Sequence, residues 1–578
     1  MSRLSFRAMV VRYLPLLAGL IGLAMFVTVV PSSPPDTVAA TDIDDLLDGG
    51  GRSPFGASGG GAGTTGEGGT SPGGSSVTGG SAGGRGGGAG TTGTGGGGGS
   101  GSPAGGAATP GAWPQGEDCS RREVVESPAC RPVPAWTGDN GGSTMLNLTA
   151  EEIRVVVYVP RRNEQVEAIL AAGGGANSAQ VADVVEAYEI YFNRAFETYG
   201  RHVKMIFQLG PGMANDPAAQ QADATLVAEE LRASFVLAGA ASEAFHDELA
   251  RRGVPSFTLT LQFPPEYYRD RAPYVWGTFP DIDLTLDHVA EYFCKRVHGR
   301  NAVHAGDPLM QQTPRKLGIV YPDDVSDAGP RLKAKIEACG GEVGHMVGYA
   351  SDITTATQQA SSIVAQLHSE GVTTVTCTCD PIAPIFFTNA ASSQGWLPEW
   401  MHNGVFLTDH QSFGRLYNQD QWGRSFGVSV LSYYTPLADA SGYRAYFAGK
   451  PDGDSDAAAR ASGGIYSLTL YTFSAIEAAG PDLNPITFAQ AMFGLPVVGG
   501  TGNENRLSFG RNGPSEFTGI DNLMEIWWDP SRTGPDGDPG WQYYVAGGHR
   551  YNLGEWPRND PVVFTNDGSP QPGRDPNA

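Results

Sequence analysis

Short apolar runs alternate with amphipathic segments through the middle of the chain. The run at residues 153–159 (IRVVVYV) is continuous and rich in β-branched side chains, which is typical of a strand buried on both faces of a parallel sheet. Residues 181–199 then carry apolar side chains at helical spacing. The alternation continues with predicted strands at 203–209, 235–237 and 255–261 and predicted helices at 217–233 and 242–253. This pattern predicts a parallel sheet that helices cover on both faces.

The same alternation starts again at residue 316. Strands are predicted at 316–322, 343–349 and 372–377, and helices at 328–339 and 354–371. Two such units in series predict an α/β fold with two doubly wound parallel-sheet lobes. Because open parallel sheets bind their ligands beyond the carboxyl ends of the strands, we expect a ligand between the lobes.

The amino-terminal residues predict on which side of the membrane the two lobes lie. A basic tip at 1–12 precedes an apolar run at 13–31, which is about long enough to cross a bilayer and also has the layout of a secretion signal. The basic tip should stay in the cytoplasm, and everything downstream should lie outside the membrane. The run is either a retained anchor or a signal that is cleaved after Val38-Ala39-Ala40. The anchor is favoured because a long linker follows the run.

Glycine dominates residues 49–110, and most of the other residues there are Ser, Thr and Ala. Such a composition buries too little apolar surface to offset its ordering entropy, so the whole segment 32–118 is predicted to be a disordered linker. A disordered tail is expected at 557–578. The net charge of −23 argues against nucleic acid as a partner, because the chain would repel its phosphates.

The cysteines permit disulfides in this compartment, because their number is even. They are Cys119, Cys130, Cys294, Cys339, Cys377 and Cys379. Cys119 and Cys130 flank a short loop and are the pair most readily expected, but the full pairing stays open. Cys377 and Cys379 suggest a metal site at first sight. A zinc site needs two further ligands, and none follows at suitable spacing, so no metal is predicted.

Three segments resemble those of a known family. Residues 316–343 (KLGIVYPDDVSDAGPRLKAKIEACGGEV) look like the start of the second lobe of type I periplasmic binding proteins of the branched-chain amino acid class. Residues 236–260 (VLAGAASEAFHDELARRGVPSFTLT) are similar to the ligand segment of its first lobe, and residues 506–527 (RLSFGRNGPSEFTGIDNLMEIW) resemble its late β-hairpin. The resemblance covers roughly residues 152–556.

The resemblance implies a hinged monomer that closes on a solute and delivers it to an ABC permease. The first lobe would comprise 152–310 and 434–514, and the second lobe 311–433 and 515–556. The chain would then cross between the lobes near 305–315, 433 and 515. The family binds solutes without a cofactor, so none is expected here.

The resemblance also implies the ligand contacts. The candidates are Ser242, Thr260, Asp281, Asp283, Ser326 and Asp409. Ser242 and Thr260 would offer hydroxyls from the first lobe, although Ser242 is also suited to capping a helix. Either Asp281 or Asp283 would help to hold an α-amino group, or both would cap the helix that runs through His288 to Val297. Asp409 would hold the same amine from the second lobe.

The chain departs from the family's pattern at several of these positions. Ser326 stands where the family commonly has a ligand-stacking Tyr in the second lobe. Residues 379–381 (Cys-Asp-Pro) form the next loop of that lobe, where aromatic residues are frequent in the family. Leucine is therefore not assumed to be the ligand. The alternatives are a ligand-binding sensor or a scaffold that kept the fold without transport. Only about a dozen residues precede the apolar run, which is too few for a cytoplasmic output domain.

Signatures of catalysis are missing from the sequence. The chain has no His-Glu-x-x-His motif and no Walker-type phosphate loop, and its Gly-x-Ser-x-Gly strings at 56–60, 69–73, 79–83 and 423–427 do not stand between a predicted strand and a predicted helix, as a nucleophile elbow requires. Its ten histidines are scattered without a recognisable Ser/His/Asp or Cys/His arrangement. The sequence therefore predicts a binding protein and not an enzyme, with a hydrolase as a remote alternative.

Overall fold

The computed structural model describes residues 136–161, 175–213, 216–259, 262–323, 326–350, 353–405, 407–535 and 537–572. The predicted tip, apolar run and linker, and the cysteines Cys119 and Cys130, lie outside these residues. The strands are β1 (Glu152–Arg161), β2 (His202–Met213), β3 (Phe235–Ala238), β4 (Ser256–Thr258), β5 (Val275–Gly277), β6 (Leu317–Pro322), β7 (Val343–Tyr349), β8 (Thr374–Cys377), β9 (Glu399–Asn403), β10 (Ser425–Ser429), β11 (Leu523–Thr533), β12 (Pro539–Tyr544) and β13 (Arg550–Tyr551).

Helices lie between these strands, and the five predicted at 181–199, 217–233, 242–253, 328–339 and 354–371 are found at nearly those places. The helices are α1 (Ser178–Ala195), α2 (Pro217–Glu229), α3 (Glu243–Arg251), α4 (Pro265–Asp270), α5 (Ile282–Tyr292), α6 (Ala328–Ala338), α7 (Ile353–Ser369), α8 (Ala383–Ser393), α9 (Gln411–Gly414), α10 (Gln419–Trp422), α11 (Ser441–Gly449), α12 (Ser455–Ala479) and α13 (Pro485–Gly494). A π-helical turn, Phe293–Val297, extends α5.

The first sheet is parallel throughout and has the strand order β2-β1-β3-β4-β5. Consecutive residues of β1 are buried on opposite faces. Val155 and Val157 pack in the core that includes α1 and α12, whereas Val156 and Tyr158 pack with α2 and α3. Burial on both faces explains why this strand is a continuous apolar run.

The second sheet has the order β12-β11-β10-β9-β8-β6-β7, with β13 paired to β11. Strands β6 to β10 are parallel, and β11 and β12 extend the sheet in antiparallel fashion. Leu317 and Ile319 pack against α5 and α6, whereas Val320 faces α7 and α8. The two sheets with their helices confirm the predicted α/β fold class with two doubly wound lobes.

The chain leaves the first sheet directly after β5, which is earlier than predicted. Leu286 and Val289 of α5 pack in one core with Leu332 and Ile336 of α6. Residues 282–310 therefore belong to the second lobe, and the predicted crossing at 305–315 is wrong. Helical spacing predicted a buried helix here, but the spacing does not indicate which lobe covers its apolar side.

The other two crossings run between β10 and α11 and between α13 and β11. Arg550 ties them together. Its guanidinium donates hydrogen bonds to the main-chain oxygen of Leu431 (2.6 Å) and to Oδ1 of Asn522 (2.8 Å). Burial lowers the pKa of Arg550 to about 9, and the nearby carboxylate of Asp409 opposes this shift.

Residues 557–572 pack against the second lobe, so the predicted disordered tail is wrong over this range. Val563 is buried in the lobe's core. The Asp567 carboxylate accepts hydrogen bonds from the main-chain nitrogen of Ala546 (2.8 Å) and from the Tyr543 hydroxyl (2.8 Å). The polar composition of the segment suggested disorder, but its few apolar and capping residues meet matching partners on β12 and the turn after it.

Two disulfides form among the described cysteines. Cys294 pairs with Cys339 and joins the π-helical turn to the end of α6, with 6.3 Å between their Cα atoms. Cys377 pairs with Cys379 in the loop after β8. Within the described ranges, no helix is both long enough and apolar enough to span a membrane.

Candidate functional site

The loops at the carboxyl ends of the parallel strands hold most of the predicted contacts. In the first lobe these loops follow β3, β4 and β5, and in the second lobe they follow β6, β8 and β9. Thr260 lies outside the described residues, so its predicted role stays a prediction. The remaining candidates fall into two groups. Side chains of the first group form hydrogen bonds or ion pairs with other residues of the protein, and side chains of the second group lack such strong partners.

Ser242 belongs to the second group. It precedes α3, but its hydroxyl forms no hydrogen bond to the helix. The residue is 6% exposed, and its Oγ has no hydrogen-bond partner among the described residues. Its main-chain nitrogen donates to Oε1 of Gln220 at 2.8 Å, which fixes the position of the loop. A buried hydroxyl without a partner costs about 1–3 kcal/mol, and a ligand that hydrogen-bonds to it would recover that energy.

Asp281 and Asp283 belong to the first group. Asp281 caps α5, because its Oδ1 accepts a hydrogen bond from the main-chain nitrogen of Leu284 at 2.8 Å. Burial raises the pKa of Asp281, and a hydrogen bond from Ser515 partly opposes this rise. Asp283 pairs with Arg331 of α6, at 3.0 Å. The capping alternative therefore describes Asp281, and Asp283 is engaged by a neighbouring helix.

Ser326 also serves the start of a helix. Its Oγ accepts a hydrogen bond from the main-chain nitrogen of Ala328 at 3.2 Å, and its own nitrogen donates to the Pro322 oxygen at 3.0 Å. Because the hydroxyl can still donate, a contact with a ligand stays a prediction.

Asp409 is a buried acid at this edge, in the loop after β9. It is 2% exposed, and neither carboxylate oxygen has a hydrogen-bond partner of good geometry among the described residues. Burial raises the pKa of Asp409 to about 6, and the nearby Ser429 hydroxyl and Arg550 offset only part of the rise. Its main-chain oxygen accepts a hydrogen bond from Nε2 of Gln542. The fold therefore holds this carboxylate in place while giving it little compensation for burial.

A cavity of about 190 Å³ lies close to Asp409. Ser429 lines the cavity and is also a neighbour of the Asp409 carboxylate. Its walls come from the ends of β10, β11 and β12, from the start of α9 and from the crossing that follows β10. The lining residues are His410, Gln411, Ser429, Leu431, Ser432, Tyr434, Met524, Ile526, Trp541, Gln542 and Tyr544. The sequence did not predict this cavity, because its walls assemble only when the antiparallel strands β11 and β12 join the sheet.

Thr378 is a second residue that the sequence did not predict. It lies between Cys377 and Cys379, whose sulfurs bond to each other. Its Oγ1 is buried and has no hydrogen-bond partner among the described residues. The next residue but one, Asp380, accepts hydrogen bonds from the main-chain nitrogen of Ile382 (2.8 Å) and from the Tyr349 hydroxyl (3.0 Å). This loop therefore offers a free hydroxyl at a rigidly held position of the carboxyl edge.

An ion pair joins the two lobes at the rim of this edge. Arg331 of α6 in the second lobe binds Glu266 of α4 in the first lobe at 2.5 Å, and it also binds Asp327 at 2.8 Å. The pair is partly exposed, since the side chain of Glu266 is 51% accessible. In the part of the chain that the structure describes, no cluster of His, Cys, Asp or Glu has the makeup of a metal site.

The comparisons with known proteins found one family match and several similar solved structures. The family model described as periplasmic binding protein matches residues 168–514, whereas no curated protein matches the chain. Similar solved structures include a solute-binding protein of an ABC transporter from R. palustris in complex with 4-hydroxybenzoate (15% identity, 71% of this chain and 98% of that chain, TM-score 0.47).

Two further solved structures are similar to the same extent. One is a leucine-binding protein from Thermotoga maritima (15% identity, 69% of this chain and 99% of that chain, TM-score 0.46). The other is a substrate-binding protein of an ABC transporter from Aeropyrum pernix (12% identity, 70% and 96%, TM-score 0.48). The family match spans more than half of the residues, includes the segments at 236–260 and 316–343 in full and confirms the resemblance: the chain belongs to the periplasmic binding protein family.

Proposed function

We propose that this protein is an extracytoplasmic solute-binding protein that captures a small molecule between its lobes and delivers it to an ABC permease. The run at 13–31 would anchor it to the membrane, and the linker at 32–118 would let the lobes reach the permease. The solute is proposed to be an amino acid or a related carboxylate or amide. The protein would act as a monomer and catalyse no reaction.

Asp409 carries this proposal. It is a buried carboxylate with a raised pKa, at the position where the family resemblance implies an acid that holds an α-amino group. A buried charge is costly unless an opposite charge pairs with it, and a bound ammonium group would supply that charge. Ser242 would add a hydroxyl contact from the other lobe.

A thermal-shift screen of the full chain tests the proposal. The panel comprises amino acids, amides, short carboxylates and aromatic acids, including leucine and 4-hydroxybenzoate. A solute at 100 times its Kd should stabilise the folded state by ~2.7 kcal/mol, which raises the Tm of a chain this long by a few degrees at most. We expect an amine-bearing solute to give this shift, Asp409→Ala to abolish it and Ser242→Ala to weaken it.

Asp456→Asn serves as the control for this screen. Asp456 lies in the first turn of α12, where it pairs with Arg460 at 2.8 Å on the protein surface, and its replacement should leave the shift unchanged. If only solutes without an amine shift the Tm, the role of Asp409 is refuted. If no solute in the panel does so, the proposed capture of an amino acid or a related carboxylate or amide is refuted as well.

The second candidate function is a surface protein or scaffold that kept the fold without transport. Two of the implied ligand contacts favour this second function, because they stabilise the fold instead of facing a ligand. Asp281 caps a helix, and Asp283 pairs with Arg331. Uptake measurements on cells with and without the protein distinguish the two. Transport requires that uptake of the bound solute fall when the protein is absent.

A further inference from the structure

The cavity beside Asp409 belongs to the second lobe and to one crossing. Met524 and Ile526 of β11 and Gln542 of β12 form its floor, and Leu431 and Tyr434 of the crossing line its side. None of the residues that line it comes from the first sheet or its helices. The end of a ligand that enters this cavity would therefore contact the second lobe and the crossing.

The volume of the cavity suits a small group at that end of the ligand. An engineered cavity of about 150 Å³ binds benzene, and this cavity measures about 190 Å³. It therefore admits a group of single-ring size with one small polar substituent. Its aromatic and aliphatic walls suit an apolar body, since Trp541, Tyr434 and Met524 all line it.

Positive charge is absent from the lining. No Lys or Arg is among the lining residues, and burial lowers the pKa of His410 to about 4, so its ring is neutral at pH 7. Three arginines lie near the walls, and each donates to a main-chain oxygen: Arg415 to that of Gly540 (3.0 Å), Arg532 to that of Gln542 (3.2 Å) and Arg550 to that of Leu431 (2.6 Å). A carboxylate that entered would lose its water without gaining a direct partner charge.

Gln542 offers the cavity an unused acceptor. The residue is 3% exposed, and its Nε2 donates to the main-chain oxygen of Asp409. That bond fixes which end of the amide is the acceptor, and Oε1 has no hydrogen-bond partner among the described residues. The Ser429 hydroxyl accepts a hydrogen bond from the Leu431 nitrogen at 3.1 Å and lies beside the Asp409 carboxylate. An N–H donor in the cavity would satisfy Gln542 Oε1.

From this geometry we propose that the second-lobe cavity takes an N–H donor group, an amide or an ammonium, carried on an apolar body of single-ring size, and that it excludes a carboxylate. Gln542 is the residue that determines this specificity. The inference rests on the proposed function, because it assigns the end of the captured solute that contacts the second lobe.

Calorimetric titration of the full chain with three matched probes tests the inference. Benzamide, benzylamine and benzoate share one ring and differ only in the polar group. We expect benzamide and benzylamine to bind at least tenfold more tightly than benzoate. Gln542→Met keeps the length of the side chain and removes the acceptor, so it should weaken benzamide binding by about fivefold and benzylamine binding by more than about tenfold.

Two variants accompany this test. Gln542→Glu should strengthen the binding of benzylamine and weaken that of benzamide, because it places a negative charge at the acceptor position. Gln419→Met is the matched control. Gln419 lies on the same side of the sheet and accepts a hydrogen bond from Nε1 of Trp528 at 2.8 Å, but it does not line the cavity, and its replacement should leave all three affinities unchanged.

Benzoate binding that equals benzamide binding would overturn the inference, and so would a failure of all three probes to bind. Lobe closure, followed by X-ray scattering in solution with the solutes of the larger panel, is a separate readout. One outcome separates the two claims: a solute closes the lobes, Ser242→Ala prevents this closure, and none of the three probes binds. In that case the proposed function stands and the specificity assigned to Gln542 is refuted. If no solute closes the lobes, the proposed function itself fails.

Discussion

Replacing Glu399 by glutamine should lower the free energy of unfolding by about 3–5 kcal/mol. Glu399 begins β9 and is fully buried, and its carboxylate binds Arg315 through two hydrogen bonds of 2.7 and 2.9 Å. The Thr374 hydroxyl donates to the same carboxylate at 2.8 Å, and the main-chain nitrogen of His304 donates at 3.0 Å. Without the charge of Glu399, the buried guanidinium of Arg315 has no counter-charge.

Denaturant-induced unfolding of the second lobe measures this loss. Lys333→Ala is the control, because Lys333 pairs with Glu337 across one helical turn on the surface, and such pairs contribute about 0.3–0.5 kcal/mol. The double variant Arg315→Met/Glu399→Leu should recover most of the stability, since replacing both partners by apolar groups removes the uncompensated charge. A loss below about 1 kcal/mol for Glu399→Gln would show that the pair is solvated and contradict its buried geometry.

Asp409→Asn should stabilise the unliganded protein at pH 7 by up to about 3 kcal/mol. Burial raises the pKa of the folded-state carboxyl from its ordinary value of 3.8 to about 6. The folded protein therefore holds this proton more tightly than the unfolded chain does. Stability from this group is complete below about pH 4 and is lost as the pH rises towards 6 and beyond.

Unfolding curves of both proteins at several pH values check this sign. The difference between Asp409→Asn and the unsubstituted protein should be near zero at pH 3.5 and should grow until about pH 7, because asparagine carries no titrating proton. The same variant should bind amine-bearing solutes poorly, so stability and binding would change in opposite directions. A variant that is less stable at pH 7 would indicate that the carboxylate has a structural partner and would weaken its assignment to the ligand.

Most of the sheet architecture could be predicted from the sequence. A strand that is buried on both faces favours apolar side chains at consecutive positions, and residues 155–158 of β1 and 319–320 of β6 show this directly. The placement of α5 could not be predicted in the same way. Its spacing shows that one side is apolar, but both lobes offer apolar surface, and only tertiary packing decides between them.

The candidate site divides along similar lines. A carboxylate just before a helix is as well suited to capping as to binding, and the sequence alone does not separate these roles for Asp281. The structure does so through the hydrogen bond from the Leu284 nitrogen. Gln542 could not be found at all, because its place beside Asp409 depends on the register between β11 and β12, in which Trp528 pairs with Gln542. Local pattern carries no information on that register.

The ion pair between Arg331 and Glu266 joins helices of opposite lobes on a partly exposed rim. Salt screens such pairs over a few ångströms at high ionic strength, so the close approach of the lobes should weaken as salt is added. The apparent affinity for a solute would then depend on ionic strength even if the solute carries no charge at all. The protein would thus bind its solute less tightly in a saline medium than in fresh water, although no residue of the binding site changes.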